Sequence, residues 1–184
     1  RAEPVRFGFR EFRIEGRDVL LNGTRIHLRA LHNSSSNGLA DRACREGALE
    51  TLRRLREYGF NFIIQGNYDV RPGDVGYLDG LLEACDATGV LLSVTLPHVK
   101  DFGWKLDDPA QAERYRALCS WIIRRVRNHP AVVMYAMNHN ATGYYGDQNP
   151  LKIDGIYNPD DLMADPAYKG DQGRARRRAQ ALLG

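Results

Sequence analysis

The chain has 184 residues, of which 43% are apolar, and a formal net charge of +3. This composition is typical of a globular domain and excludes an intrinsically disordered chain. No apolar run approaches the roughly 20 residues that a membrane-spanning helix needs, so we expect no membrane partner. Because the chain begins at Arg1 without Met or an apolar leader, we also expect the natural amino terminus to lie elsewhere. The sequence does not indicate a compartment.

Positive charge is concentrated in two arginine clusters, Arg124–Arg127 and Arg174–Arg178. Both fall on predicted helices, and no aromatic residues alternate with the arginines to stack bases, so we expect solvated helix faces and no nucleic-acid partner. The three cysteines, Cys44, Cys85 and Cys119, occupy apolar helix positions without metal-ligand spacing. They are predicted to be buried thiols, and we expect neither a metal nor a cofactor.

The first predicted elements are β-strands. Residues 12–14 and 19–21 flank Glu15-Gly16-Arg17-Asp18, which predicts a hairpin, and Asn22-Gly23 predicts a second tight turn because both residues tolerate positive φ. A single extended run over 25–31 follows and ends at His32-Asn33.

Beyond this point the hydrophobic period changes from two residues to about 3.6, and helices alternate with apolar strands. Helices are predicted over 43–58, 74–88, about 110–128 and about 173–182, and strands over 60–64, 90–94 and 131–137. Strands that are apolar on both faces and alternate with amphipathic helices indicate a parallel sheet covered by helices. The short connections fit a barrel or a doubly wound sheet equally well, but no Gly-x-Gly-x-x-Gly run supports dinucleotide binding.

With the strands placed, six stretches resemble the family-2 glycoside hydrolases, the group of β-galactosidases, β-glucuronidases and β-mannosidases. They follow the family's order and spacing over nearly all of residues 8–140. The stretches are Gly8-Phe9-Arg10; Leu21-Asn22-Gly23 with Arg29-Ala30-Leu31-His32; Leu55-Arg56-Glu57-Tyr58-Gly59-Phe60-Asn61; Cys85-Asp86-Ala87-Thr88-Gly89-Val90-Leu91-Leu92; and Arg127-Asn128-His129-Pro130-Ala131-Val132-Val133-Met134-Tyr135.

The resemblance implies an α/β fold that is a partial (β/α)₈ TIM barrel. A closed barrel has eight strands and about 250 residues, whereas this chain supplies the first four βα units after a short β-hairpin segment. Residues 1–24 are then the linker and hairpin that enter the barrel, and residues 25–184 are its truncated first half. The expected partners are a carbohydrate substrate, the carboxyl-terminal half of the barrel and flanking β-sandwich domains.

In such barrels the active-site groups lie at the carboxyl ends of the strands. Polar residues follow the predicted strands there, and amide, imidazole and phenol groups suit hydrogen bonding to sugar hydroxyls. The candidate sugar contacts are His32, Asn33, Asn67, His98, Trp104 and Tyr144. The alternative is structural: the histidines bind loop backbone, Trp104 packs beneath its loop, and the loop around Tyr144 is an ordinary surface excursion.

Three positions depart from the family pattern. The family's fourth strand ends in Asn-Glu, and the Glu is the general acid/base; this chain has His139-Asn140 there. An amide cannot exchange a proton near neutral pH as a carboxylic acid with a raised pKa can. The family commonly has Arg at the end of the second strand and Glu after the third, where this chain has Ile64 and Thr95.

Two interpretations follow. In the first, the parent protein is a divergent glycosidase that hydrolyses O-glycosidic bonds, and its acid is His139, Asp69, Asp147 or Asp154. In the second, the barrel binds carbohydrate without cleaving it. The family's nucleophile would lie beyond this chain, and the sequence identifies neither the sugar nor the stereochemical outcome. Four aspartates over 154–165 lack a dense ligand run, so no calcium site is predicted.

Overall fold

The computed structural model describes residues 7–33, 45–66, 70–75, 78–103 and 105–136. In chain order the elements are β1 Phe12–Glu15, β2 Asp18–Leu21, β3 Thr24–Ile26, β4 Ala30–Asn33, α1 Arg45–Glu57, β5 Phe62–Gln65, α2 Leu78–Thr88, β6 Leu91–Thr95, α3 Pro109–Val126 and β7 Val132–Ala136. A 3₁₀ turn, Val99–Phe102, lies between β6 and α3. None of the described helices combines the length and the apolar character needed to cross a membrane.

Strands β1, β2 and β3 form an antiparallel sheet in that order, as the two turn signals predict. At the second turn Asn22 and Gly23 adopt φ values of 50° and 76°. The Asn22 side chain also accepts a hydrogen bond from the Glu11 backbone N–H at 2.8 Å. The positive φ values therefore close the turn between β2 and β3, and the Asn22 side chain attaches that turn to the residue that precedes β1.

The single extended run predicted over 25–31 is wrong: β3 ends at Ile26 and β4 begins at Ala30. The Asn61 side chain donates to the His27 carbonyl at 2.8 Å and accepts from the Arg29 N–H at 2.8 Å. It thereby takes backbone groups that a continuous strand would offer to a neighbouring strand. The alternation of residues 25–31 cannot reveal a partner that lies more than 30 residues away.

Strands β4, β5, β6 and β7 form a parallel sheet in sequential order, and helices α1, α2 and α3 lie between them along the chain. This confirms the predicted α/β class, in which each parallel strand returns through a helix. The pairing is regular from β4 to β6. Between β6 and β7 the register shifts at Leu92/Ser93, where Leu92 pairs with Val132 and Ser93 pairs with Met134.

The helices bury the faces that their periodicity predicts. In α2 the buried side chains include Leu78, Leu82 and Cys85, each 0% exposed, and in α3 Ile122 and Val126 are 0% exposed. Burial of apolar area is the main source of stability here, at about 25 cal/mol per Å² removed from water.

Two details of the helix predictions differ from the structure. Helix α2 begins at Leu78 rather than at 74, because Arg71 and Asp74 form an isolated β-bridge before it. Leu55 and Leu118 are half-buried rather than buried. Cys44 lies outside the described residues.

Packing groups the chain into two units. The first comprises Arg1–Leu96 and Ser120–Ala136, which include both sheets, and the second comprises Pro97–Cys119 and Met137–Gly184. Helix α3 contributes residues to both.

Candidate functional site

The carboxyl ends of the four parallel strands lie side by side. The backbone of Asn33, the last residue of β4, pairs with that of Gln65, the last residue of β5. Gln65 pairs in turn with Val94, and Thr95 at the end of β6 pairs with Ala136 at the end of β7. The Leu96 N–H extends this last contact by donating to the Ala136 carbonyl at 2.8 Å. The carboxyl ends of all four strands therefore lie along one edge of the sheet.

The two faces of the sheet differ in exposure near this edge. One row, His32, Ile64, Ser93 and Met134, is in register across the four strands. In this row His32 is exposed, Ile64 and Met134 are half-buried, and Ser93 is buried. Alternation along β6 and β7 places Thr95 and Ala136 on the same face. The other face carries Ile63, Gln65, Leu92 and Val94, each at most 2% exposed, so the row that begins at His32 belongs to the more open face.

The described part of this edge carries few ionisable groups. Among residues 30–33, 62–66, 91–96 and 132–136 there is no Asp, Glu, Lys or Arg. The departures at Ile64 and Thr95 both fall here, and Thr95 is 2% exposed. Hydroxyl and amide groups can hydrogen-bond a sugar, but they cannot serve as an acid or base near neutral pH.

Three of the nine predicted site residues fall within the described part of the chain. His32 and Asn33 end β4, as the sequence predicts. His98 belongs to the second unit, where it is 8% exposed and its carbonyl accepts the Asp101 N–H at 3.0 Å. The other six lie outside the described residues: Asn67, Trp104, His139, Asn140, Tyr144 and Asp147. The alternative acids Asp69 and Asp154 lie outside them as well.

Sequence analysis did not select Gln65, Ser93 or Thr95 as candidates, although all three are polar residues in strands that are otherwise apolar. They are buried, at 0%, 5% and 2% exposure. Gln65 donates to the Gly66 carbonyl at 2.5 Å. The signal that could have found Ser93 and Thr95 is their spacing of two residues, which places both on one face of β6.

The described cysteines are unsuited to nucleophilic chemistry. Cys85 and Cys119 are buried free thiols. Burial, with a smaller contribution from the Asp86 charge, raises the pKa of Cys85 to about 12, and burial also raises the pKa of Cys119. Both therefore stay neutral thiols near pH 7. No group of three or more His, Cys, Asp or Glu side chains within the described residues is arranged to hold a metal ion.

The opposite edge of the sheet is held by side chains from the stretches that carry the resemblance. Asn61 precedes β5, and its backbone also accepts the Leu91 N–H at 2.9 Å. Asp86, in the last turns of α2, accepts hydrogen bonds from His129 Nδ1 at 2.7 Å and from the Ala131 N–H at 3.0 Å. Asn61 therefore joins the amino ends of β4, β5 and β6, and Asp86 joins α2 to the residues before β7, at the edge opposite the candidate site.

Known proteins with a similar sequence or fold are glycosidases, although no family model matches the chain. It is 23% identical over 155 residues to a β-glucuronidase from Paenibacillus borealis, covering 79% of this chain and 25% of that protein. It is 25% identical over 159 residues to a β-galactosidase from Pectobacterium atrosepticum, covering 82% and 14%. The structure is similar to a β-D-mannosidase from Dictyoglomus thermophilum, with a TM-score of 0.54, 20% identity, and coverage of 91% of this chain and 23% of that one.

This chain resembles a segment of the family-2 glycoside hydrolases. The two relatives carry names from that group, and the mannosidase shares the fold. The chain spans a quarter or less of the length of these family-2 proteins, so it corresponds to a part of them. The residues that carry the family-2 resemblance include Asn61, Asp86 and His129, which lie at the amino edge of the sheet, opposite the carboxyl ends of the strands.

Proposed function

We propose that the intact parent protein hydrolyses O-glycosidic bonds in carbohydrates, and that this chain supplies part of its active site. The observation that carries the proposal is the alignment of four parallel strand ends at one edge of the sheet. Ligand sites of parallel α/β barrels are built from the loops that follow such ends. The similarity to named glycosidases supports hydrolysis as the reaction class.

The fold we propose is the first four βα units of a (β/α)₈ barrel. Residues 1–24 lead into it, and residues 25–184 form its first half. The carboxyl-terminal half of the barrel and flanking β-sandwich domains would complete the parent. This arrangement agrees with the sequential order of the parallel strands, since each strand of such a barrel pairs with the next one along the chain.

We assign the sugar contacts to residues at or beyond the strand ends. Amide and imidazole groups would hydrogen-bond hydroxyls, and aromatic rings would pack against the pyranose face. The proposed contacts are His32, Asn33, Asn67, His98, Trp104 and Tyr144. Because Asn140 holds the acid/base position, the proton donor would be His139, Asp147 or another acid of the parent, and the nucleophile would come from the second half of the barrel.

The test is turnover by the purified intact protein. Aryl β-glucuronide, β-galactoside and β-mannoside are the probes, because the relatives carry those three names. We expect hydrolysis of at least one of them and none by the isolated 184-residue chain, since retaining hydrolysis needs two carboxyl groups. Absence of turnover in the intact protein, with saturable sugar binding, would support the binding-only interpretation and refute hydrolysis.

A second test asks whether Asn140 occupies the family's acid/base position. We expect Asn140→Glu in the intact protein to raise the rate with aryl glycosides, because a carboxylic acid at that position can protonate the leaving group. Asn140→Gln is the matched control, since it adds the same length without an acid. Equal rates for the two variants would show that the residue is misassigned.

A further inference from the structure

We propose that Asp86 is a positioning residue: it fixes where β7 begins and thereby which side chains of that strand lie on the face of the sheet that carries Ser93 and Thr95. The inference rests on the proposed function, because that face reaches the strand ends where the substrate is proposed to bind. Asp86 itself lies in α2, at the amino edge of the sheet and far along the chain from the residues it would position.

Both oxygens of the Asp86 carboxylate are used at this place. Oδ2 accepts from His129 Nδ1 at 2.7 Å, and Oδ1 accepts from the Ala131 N–H at 3.0 Å. The Asp86 side chain is 9% exposed and that of His129 is 25% exposed. Hydrogen bonds to a carboxylate that is largely shielded from water are stronger than bonds between neutral groups. Asp86 is therefore a firm attachment for the residues that precede β7.

The connection between α3 and β7, residues 129–131, is also held by the amino-terminal segment and by β6. Arg10 Nε donates to the Pro130 carbonyl, and Gly8 lies so close that an added Cβ would approach Pro130 Cγ to 2.7 Å. From the sheet, the Leu92 N–H donates to the Ala131 carbonyl at 2.7 Å. The residues from His129 to Ala131 are thus held by α2, by the amino-terminal segment and by β6.

The position at which β7 is attached matters because the pairing of β7 with β6 is irregular just beyond it. The pairing passes from Leu92 with Val132 to Ser93 with Met134, so Val133 is skipped. As a result Met134 and Ala136, rather than Val133 and Tyr135, share a face with Ser93 and Thr95.

Displacement of β7 by one residue would place Val133 and Tyr135 on that face instead, since each side chain would move to the opposite face of the sheet. The bond that holds Ala131, two residues before the skipped Val133, therefore determines which side chains of β7 lie on the face where the substrate is proposed to bind.

The first test measures kinetics of Asp86→Ala and Asp86→Asn in the intact protein, with an aryl β-galactoside as the probe. We expect Asp86→Ala to lower kcat per folded molecule at least tenfold with KM changed less than twofold, because misplacement by about 1 Å is enough for losses near 100-fold. The kcat of Asp86→Asn should lie between those of the wild type and Asp86→Ala, since the amide oxygen of Asn can still accept the Ala131 N–H.

Ile122→Ala is the control for a purely structural effect. Ile122 is 0% exposed in α3, and its truncation should lower the urea midpoint without changing kcat of the folded protein. If Asp86→Ala lowers the midpoint in the same way and leaves kcat unchanged, Asp86 only supports the fold and the positioning role is refuted.

A second readout does not depend on turnover. The Leu96 N–H is bonded to the Ala136 carbonyl at the far end of β7. We expect its hydrogen exchange to be at least tenfold faster in Asp86→Ala than in Ile122→Ala. Equal exchange in the two variants would overturn the proposal. Absence of turnover by the wild-type protein would refute the proposed function, while the exchange comparison would still decide the role of Asp86.

Discussion

Asn61 shows how a single side chain can divide one strand into two. It bonds the His27 carbonyl and the Arg29 N–H, both at 2.8 Å, in the gap between β3 and β4. Its own backbone N–H donates to the Arg29 carbonyl at 3.2 Å. The side chain therefore satisfies backbone groups that no strand pairs, and its loss would leave them without these partners.

We expect Asn61→Ala to lower the free energy of unfolding by about 1–3 kcal/mol, which is the range for leaving paired polar groups unsatisfied. Urea unfolding of the intact protein, followed by circular dichroism, measures the change. Asn128→Ala is the matched control, because Asn128 is an exposed turn residue and its replacement should change stability by less than about 0.5 kcal/mol. Equal losses in the two variants would contradict this role for Asn61.

Cys85 links stability to alkaline pH. Its pKa is raised from 9.0 to about 12, chiefly by burial, so the folded state favours the neutral thiol. The corresponding stability is complete below about pH 9 and is lost as the pH rises towards 12, since the unfolded thiol ionises first. We therefore expect the difference in unfolding free energy between wild type and Cys85→Ala to shrink as the pH rises from about 9 towards 12. A difference that stays constant over this range would show that ionisation of Cys85 is not involved.

At the residue scale, sequence analysis identified polar strand ends but not all the residues that lie there. His32 and Asn33 were found because they end an apolar run, and both end β4. Ser93 was passed over because it stands inside an apolar strand, and Thr95, at the end of β6, was noted only as a departure from the family pattern. Their shared face becomes evident only once β6 is paired with its neighbours, since alternation assigns faces but not exposure.

At the scale of elements, the helices were predicted well because an amphipathic period repeats over many residues. The predicted range 43–58 compares with α1 at Arg45–Glu57, and about 110–128 compares with α3 at Pro109–Val126. The strand predicted over 25–31 failed because the backbone bonds of a short strand depend on distant partners. Local sequence therefore predicts helices better than strand limits in this chain.

Helices α2 and α3 are connected by an ion pair that contributes little beside the burial of apolar side chains in each helix. Arg125 meets Asp79 through two hydrogen bonds, one of them 2.8 Å, but their side chains are 36% and 46% exposed. Arg125 also lies over the Trp121 ring, 5.6 Å from its centroid. Water and salt weaken ion pairs that are this exposed. The apolar side chain of Leu82 in α2, by contrast, is 0% exposed.

We expect Arg125→Ala to cost about 1 kcal/mol or less and Leu82→Ala about 2–5 kcal/mol. Urea unfolding at low and at high salt measures both. Added salt should reduce the effect of Arg125→Ala and leave that of Leu82→Ala unchanged, because screening acts on charges. A larger loss for Arg125→Ala than for Leu82→Ala would contradict apolar packing as the dominant contribution.

At the scale of the whole molecule, the described parallel sheet has two strands with a single neighbour. β4 pairs only with β5 and β7 only with β6 among the residues that the structure describes. Unpaired strand edges attract other strands and promote aggregation. Exposed aromatic rings, Phe7 at 62% and Phe9 at 91%, add apolar surface.

We therefore expect the isolated 184-residue chain to aggregate when it is produced alone. Size-exclusion chromatography with light scattering measures its mass, and the intact protein at equal concentration is the control. The proposed second half of the barrel would cover the edges in the intact protein, which should remain monodisperse. A monodisperse, cooperatively folded isolated chain would contradict the need for that half.

At this scale the sequence predicted a parallel sheet covered by helices but could not assemble the proposed site. Short connections between helices and strands fit a barrel and a doubly wound sheet equally well, so only the family resemblance implied the sequential strand order. The site depends instead on loop conformations after the strands, which hydrophobic period does not encode. Six of the nine candidate residues, including Asn140, lie outside the described residues.

Asn61 and Asp86 lie at one edge of the sheet, and the strand ends where we propose the site lie at the opposite edge. On the proposed function, this separation allows substitutions near His32, Ile64 or Thr95 to alter ligand preference while the bonds that organise the scaffold stay intact. A lineage can therefore explore new substrates without first acquiring compensating stability. Directed evolution of this protein would accordingly tolerate diversity at the strand ends far better than at Asn61 or Asp86.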